Sequence, residues 1–361
     1  MTHHRRTAPS HGHRSGGHYE TRPRNRGTEL QEKVAFLSSA AAYGLEGQVE
    51  TRETHMSWIF LTETLAYKLK KPVRFPHLDF STSVRRRFFC EEELRLNRRL
   101  AAETYLDVLP LRRDREGAYA LDDGRGRIVD WLVRMRRLPQ EDMLDRRIET
   151  GALTRSDIEG IASTLAAFYA SLAPEKTGAE AYAMHLSREQ AINREMLLRP
   201  RFGIGEQARG VVDKVDALMG EVMPLMKERV AAGAVVEGHG DLRPEHVCLS
   251  RPLQIIDCLE FNRTMRIVDP YDEVNYLGIE CDMLGAGWIR PLLNAALPAS
   301  GIEPPEPALL AFYAAFRCLL RARLSIAHLL ERPIRKPAKW RPQALAYLRQ
   351  AENELLSLQS P

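Results

Sequence analysis

The stretch HGDLRPEHVCL, residues 239 to 249, sets two histidines, an aspartate, an arginine and a glutamate in one polar loop and then turns apolar. Clusters of that kind sit where a rigid element ends and chemistry begins. A second carboxylate, Asp257, follows sixteen residues after Asp241. Between the two, HVCLS (246 to 250) and LQIIDCLEF (253 to 261) read as short strands joined by Arg251 and Pro252. A tight hairpin doubles back, so it returns Asp257 to the end where the Asp241 loop enters. Two carboxylates at a hairpin mouth suit Mg2+, a hard cation held by one or two carboxylates together with substrate phosphates. The plainer alternative is that each aspartate caps a turn.

The elements that must position this loop show in the periodicity. SWIFLTE (57 to 63) and LAYKLKK (65 to 71) predict a hairpin, and YLDVLPL (105 to 111), AYALDD (118 to 123) and RIVDWLVRM (127 to 135) predict three more strands. Asp123 and Gly124 mark the turn between the last two. Among them RRRFFCEEELRLNRRL (85 to 100) predicts a helix, with Phe88, Leu94, Leu96 and Leu100 as its apolar stripe and Ser81 or Ser83 as its cap. After Pro139 the period becomes helical. Thr154 and Asp157 have capping-box spacing ahead of Ile158, Ile161, Leu165, Phe168 and Leu172, and further helices are predicted over 211 to 230, 307 to 331 and 343 to 358. The expected fold is therefore α+β: a small antiparallel-sheet lobe over residues 28 to 138, a larger and mainly helical lobe over 139 to 361, and a cleft between them.

Composition bounds what such a chain can be. With 361 residues and 44% hydrophobic content it buries a sizeable core. No apolar run approaches the roughly 18 residues needed to span a bilayer, and the N-terminus lacks the apolar stretch of a secretory signal, so a cytoplasmic protein with no membrane partner is predicted. The net charge of +4 is concentrated in residues 1 to 27, where six arginines face one acid, leaving 46 basic against 47 acidic residues elsewhere. That segment also carries five histidines and almost nothing apolar, which predicts a disordered His- and Arg-rich tail. The electrically balanced remainder gives no reason to expect a nucleic-acid partner except through the tail. Five scattered cysteines without CxxC spacing suggest neither a disulfide framework nor a zinc site built on them. No GxxxxGK[ST] segment marks a P-loop, and the oligomeric state is left open.

HGD at 239 to 241, the hairpin, and IID at 255 to 257 resemble the catalytic loop and metal-binding aspartate of the aminoglycoside phosphotransferase and choline kinase group, which share the protein kinase fold. AYKLKKPVRFPHLDF (66 to 80), CEEELRLNRRL (90 to 100), DCLEFN (257 to 262) and DPYDEVNYL (269 to 277) are similar to a bacterial branch of that group with unassigned substrate. Together the matched segments span most of residues 30 to 330. The resemblance implies a two-lobed protein kinase-like fold. It also implies an ATP- and Mg2+-dependent transfer of the gamma-phosphate to a hydroxyl of a small molecule.

Residue by residue, it implies that Asp241 orients the acceptor hydroxyl and takes its proton, while Asp257 holds Mg2+ against the ATP phosphates. His239 braces the loop by hydrogen bonding. Asp272 is implied to hold the catalytic-loop backbone, although an acid in the first turn of a helix is equally favoured by the helix dipole. Lys68, in the triplet Ala66–Tyr67–Lys68, grips the phosphates; Lys70 faces the same way on a strand and is its rival. Glu93 is the expected ion-pair partner because leucines three and seven residues on turn toward the core, with Glu92 close behind. The hinge falls between Met135 and Leu138, where backbone groups bind adenine.

Two departures stand beside these matches. No GxGxxG segment precedes the first predicted strand, and TRETHMS (51 to 57) leaves Thr54, His55 or Ser57 to cover the phosphates. His246 stands where the family has asparagine as the second Mg2+ ligand, and imidazole serves that ion poorly. Its ring is expected either to face the metal pocket, bonding a phosphate or a metal-bound water, or to cap the strand at Val247. Two functions follow: a small-molecule kinase, or a catalytically weak kinase-fold binding or regulatory module, pseudokinase-like. The acids Glu260, Glu280 and Asp282 either attract a cationic acceptor or are ordinary solvated surface acids.

Overall fold

The computed structural model describes residues 26 to 358 except 76–77, 122–123 and 332. The tail before Arg26 and the turn residue Asp123 thus lie outside the described residues. Arg26 and Gly27, assigned above to the tail, already open helix α1 (Arg26–Leu37). Strand β1 (Glu50–Glu53) follows, then the hairpin of β2 (Ser57–Leu61) and β3 (Leu65–Lys70), the short ribbon β4 (Arg74–Phe75) and β5 (Leu78–Asp79), and helix α2 (Ser83–Asn97). Strands β6 (Tyr105–Arg113), β7 (Tyr119–Leu121) and β8 (Arg127–Arg136) complete a six-stranded antiparallel sheet in the order β1-β2-β3-β8-β6-β7. β1 has the sequence ETRE and lies at a largely exposed edge, so it lacks the alternation that made the other strands legible.

Helix α2 differs from its expected form. Thr82, neither Ser81 nor Ser83, caps it: its extended backbone lets the side chain accept the Arg85 N–H at 3.2 Å. The buried face is Arg86, Cys90, Glu93, Leu96 and Asn97, whereas Phe88 is 55% exposed. A stripe that is mostly polar stays buried because its charges are paired. Arg86 binds Asp130 of β8 through two bonds of 2.7 and 2.9 Å, and Lys33 of α1 reaches the same carboxylate at 2.9 Å. One aspartate thus pins two helices to the sheet.

The second half is helical as expected: α3 (Leu144–Glu149), α4 (Arg155–Ser171), α5 (Ala179–Leu197) and α6 (Gly205–Ala231) precede the site, and α7 (Pro270–Met283), α8 (Ile289–Ala296), α9 (Pro307–Ala327) and α10 (Pro337–Ser357) follow it. The Thr154–Asp157 capping box forms, and Ile158, Ile161, Leu165 and Phe168 of α4 are buried. One core gathers α5, α6, α9 and α10; a second gathers α4, α7 and α8 with the loop and strands of the site. α7 is buried from Pro270 to Cys281, all the way round. A helix without a wet face has no amphipathic period to read. Among the described residues no helix is long and apolar enough to cross a membrane, and all five cysteines are buried.

Between α6 and α7 lie four two-residue strands, β9 (Val236–Glu237), β10 (Val247–Cys248), β11 (Gln254–Ile255) and β12 (Ile267–Val268). The hairpin β10–β11 is therefore much shorter than the nine-residue run predicted for its second arm. Leu249 donates its N–H to Asp142 instead, and Asp257 takes a left-handed conformation at φ 61° that ends the extension.

Candidate functional site

β9 and β12 pair in the register Val236 with Val268 and Glu237 with Ile267, which sets the start of the loop. Gly238 comes next, where a Cβ would lie 2.6 Å from Val268 Cγ2, and then Gly240 at φ 87°, so both positions demand glycine. The backbone between them is held by Glu273 from the first turn of α7. Its Oε2 accepts the His239 N–H at 2.8 Å, its Oε1 accepts the Gly240 N–H, and Tyr169 of α4 donates to Oε2 at 2.6 Å. This corrects the role implied for Asp272. That residue points away by one helical step and forms a buried two-bond pair with Arg317 of α9, at 2.8 and 2.5 Å.

His239 braces the loop in a defined tautomer. Its Nε2–H donates to the Ile256 carbonyl at 2.9 Å while Nδ1 accepts the Asp241 N–H at 3.3 Å. Burial lowers its pKa more than the nearby Glu273 raises it, so the ring is neutral. One imidazole therefore connects the backbone of Asp241 to the residue before Asp257. Sequence reasoning missed the far side of this brace: Asn97 at the end of α2 accepts the Cys258 N–H at 2.8 Å, and Arg99 donates to the Glu237 and Gly238 carbonyls at 2.7 and 2.6 Å. Both lie in the quoted segment 90 to 100 but look like an ordinary polar helix end.

Across the cleft, β3 turns Lys68 and Lys70 to one side. Lys68 Nζ lies 2.8 Å from Glu93 Oε1 and 2.8 Å from Asp257 Oδ1. Lys70, fully buried, takes the other oxygen of Glu93 at 2.5 Å and also pairs with Glu260. Glu92 pairs instead with its neighbour Arg95 at the surface. Burial acts to raise the pKa of Glu93, but the two ammonium groups outweigh it and hold the carboxyl below its ordinary value. Two lysines face three carboxylates here, which leaves one negative charge in excess.

Asp257 lies at the open edge of this group. Burial works to raise its pKa, yet Lys68 and then His246 prevail and push it far below the usual carboxylate range. Asp241 is ionised for a similar reason: burial is outweighed by Arg243, His246 and Arg321. His246 sits between the two aspartates. Its Nδ1–H donates to the Asp241 carbonyl at 2.8 Å, which turns Nε2 toward Asp257 Oδ2, 3.5 Å away, and toward the guanidinium of Arg243 at 3.3 Å. Arg243 Nε is 3.0 Å from Asp241 Oδ1, an ion pair without hydrogen-bond alignment.

The cleft enclosing these groups has a volume of about 1310 Å³. That exceeds the roughly 300–1,000 Å³ usual for one small ligand. Toward the sheet it is lined by Ile59, Ala66, Met135 and Leu138, and Ile256 faces them from below. Met135 pairs with Ala66 in the sheet, and the chain leaves β8 with the Arg136 and Arg137 N–H groups bonded to Thr104 and Thr64, each at 2.8 Å. Toward the helices it reaches Glu189 of α5, Tyr276 of α7 and Arg323 of α9. Thr54 and Ser57 close the β1–β2 turn on each other, Ser57 N donating to Thr54 Oγ1 at 2.9 Å, and His55 projects from that turn.

The acids expected either to draw a cationic acceptor or to be solvated are each already paired within the protein. Glu260 is paired with buried Lys70, Glu280 is bonded by Arg321 and the Tyr347 hydroxyl, each at 3.0 Å, and Asp282 lies 3.3 Å from Arg290. They hold cations of the fold itself.

No family model matches the chain. Proteins from Mycobacterium tuberculosis and Mycobacterium bovis, both named uncharacterized, are 27% identical over 281 residues, covering 76% of this chain and 54% of theirs. The chain spans about half the length of these curated relatives. Among solved structures it is similar to a choline/ethanolamine kinase family protein from Mesorhizobium loti, at 13% identity and a TM-score of 0.49, over 93% of this chain and 99% of that one. A glucosamine kinase aligns at 14% identity and a TM-score of 0.47, over 90% and 83% of the two chains. An aminoglycoside phosphotransferase from Streptomyces rimosus, in complex with ADP and streptomycin, aligns at 18% identity and a TM-score of 0.42, over 79% and 97%.

Proposed function

We propose that the chain is an ATP- and Mg2+-dependent phosphotransferase acting on a hydroxyl of a small molecule. The observation that carries this reading is the placement of Lys68, Glu93 and Asp257 on two lobes around one cleft, with both Lys68 contacts at 2.8 Å. Glu93 fixes the ammonium, so on nucleotide entry Lys68 turns from Asp257 to the phosphates while keeping its glutamate partner. The slot of Ile59, Ala66, Met135, Leu138 and Ile256 takes the adenine ring, edge-on to the backbone of residues 135 to 138. Asp241, ionised and open to the cleft, accepts the proton of the acceptor hydroxyl and orients its oxygen.

The donor set fits a divalent cation. Asp257 presents an ionised carboxylate at the edge of a cluster that carries excess negative charge, and His246 Nε2 faces the same point. Bound there, Mg2+ would offset the negative charge of the phosphates. Asp257 would hold it, with His246 contributing through a metal-bound water, since imidazole is a poor ligand for that ion. An ATP-consumption screen over hydroxyl-bearing metabolites tests the reading: turnover with one acceptor class, lost in Asp241→Ala, supports it. ATP binding without turnover across all classes favours the second reading, a kinase-fold binding module. One observation speaks for that alternative, the Arg243 guanidinium set 3.0 Å from the proposed base.

A further inference from the structure

Away from Asp241 and Asp257, three groups from two distant parts of the chain, His55 on one side and His328 with Glu331 on the other, converge on one point. His55 Nε2 lies 3.3 Å from His328 Nδ1 and 3.1 Å from Glu331 Oε1, and His328 Nδ1 contacts the same carboxylate oxygen. We propose that His55, His328 and Glu331 form a binding site for a transition-metal ion of the Zn2+ class, which on binding ties the β1–β2 turn to the end of α9 across the mouth of the cleft.

The donor chemistry selects the ion. Imidazole nitrogen with one carboxylate suits zinc and its first-row neighbours and serves Mg2+ badly, which separates this site from the aspartate pair. Around a tetrahedral zinc with bonds of about 2.0–2.1 Å, neighbouring donor atoms stand about 3.3 Å apart. The two longer sides of this triangle already match that spacing, and only the carboxylate must swing outward from His328. Three protein donors leave a fourth position for water or a ligand.

The site is also built. The His328 ring stacks on Trp340 with centroids 3.8 Å apart and planes at 12°, and the Trp340 indole N–H is anchored on the Arg335 carbonyl at 2.5 Å. That fixes where Nδ1 points. The tight Thr54–Ser57 turn presents His55 from the other lobe, 273 residues away in sequence. A parallel ion pair, Arg335 with Glu53 of β1 at 2.7 Å, already joins the same two segments. His55 and Ala327 both border the cleft, so an ion here sits at its rim. The site goes beyond the phosphotransferase reading and does not depend on it.

The test is Zn2+ titration by calorimetry of the full chain, its His55→Gln variant and its His328→Gln variant. Tryptophan fluorescence is followed in parallel with Ni2+, which imidazole also binds and which quenches nearby indoles. All variants keep the five histidines of residues 1 to 27, so only the difference reports on this cluster. The expected result is one equivalent of Zn2+ fewer in each variant, and a Ni2+ quenching component in the parent that is missing from both His55→Gln and Trp340→Phe. The His55 side chain is 58% exposed, so its replacement leaves packing intact and the loss cannot be assigned to misfolding. Equal Zn2+ equivalents in the parent and His55→Gln overturn the proposal.

Discussion

Lys68 and Asp257 meet at 2.8 Å although 189 residues separate them. One comes from the middle of the six-stranded sheet, the other from the residue that ends the β10–β11 hairpin, and their pair bridges the cleft between the lobes. Both partners are charged, and each is the group that a phosphate or a cation would seek. A ligand carrying both charges can therefore replace the pair without stranding either residue.

Asp241→Asn and Asp257→Ala should accordingly fail in different ways. The first should leave ATP affinity within about twofold while lowering transfer by roughly 10²–10⁴, the usual share of a general base. The second should weaken binding of Mg2+-loaded ATP itself. Nucleotide titration beside turnover measurements checks this, and equal loss of affinity in both variants would contradict the assignment.

Glu93→Gln should be among the more damaging single changes. It removes the carboxylate shared by Lys68 and the fully buried Lys70, a loss of about 3–5 kcal/mol for a broken buried pair. Glu92→Gln, which disturbs only a surface pair with Arg95, should cost less than about 1 kcal/mol. Urea unfolding of the two variants makes the comparison.

Glu273 and Asp272, adjacent in sequence, should separate in amide exchange. Glu273→Gln takes away the double acceptor for the His239 and Gly240 N–H groups, so these amides should exchange faster, by tenfold or more for about 1.4 kcal/mol of lost protection. Asp272→Asn disturbs the Arg317 pair in the helical core and should leave the two amides nearly unchanged. Similar acceleration in both variants would return the loop-holding role to the helix start as a whole.

His246 should set the metal preference. Its Nε2 faces Asp257 at 3.5 Å, and nitrogen is accepted more readily by Mn2+ than by Mg2+. His246→Asn should lower the Mg2+ concentration needed for half-maximal ATP turnover and reduce any advantage of Mn2+. Unchanged metal dependence in an active enzyme would leave His246 as a strut for the Asp241 carbonyl and nothing more.

His239 should make the fold acid-sensitive. Its pKa is depressed in the folded state, so unfolding takes up a proton as pH falls: the stability it contributes is complete above the ordinary histidine value of about 6.5 and is lost progressively below it. Between pH 7.5 and 5.5 the parent should lose more unfolding free energy than His239→Gln. Denaturant midpoints at the two pH values measure it, and parallel losses would remove His239 as the cause.

The sequence by itself determined the parts whose signal is local. Period-two alternation placed β2, β3, β6 and β8, the Thr154–Asp157 box placed α4, and the HGD and IID triplets located the loop and the hairpin that carry Asp241 and Asp257. Edge strand β1 and the wholly buried α7 carry no such contrast between a wet and a dry face, so periodicity passed over them. Which acid does what was decided by tertiary structure. Glu93, expected over Glu92 from the leucines three and seven residues on, faces the lysines, but Glu273 rather than Asp272 faces the loop, because one residue along a helix is a turn of about 100° and a neighbouring element decides which side is inward. The same holds for Glu260 and Glu280, whose cation partners come from β3 and α9, and for His55 with His328, brought together across 273 residues. A carboxylate or an imidazole has no fixed role along a chain; its role comes from the charges that the fold sets within a few ångströms of it.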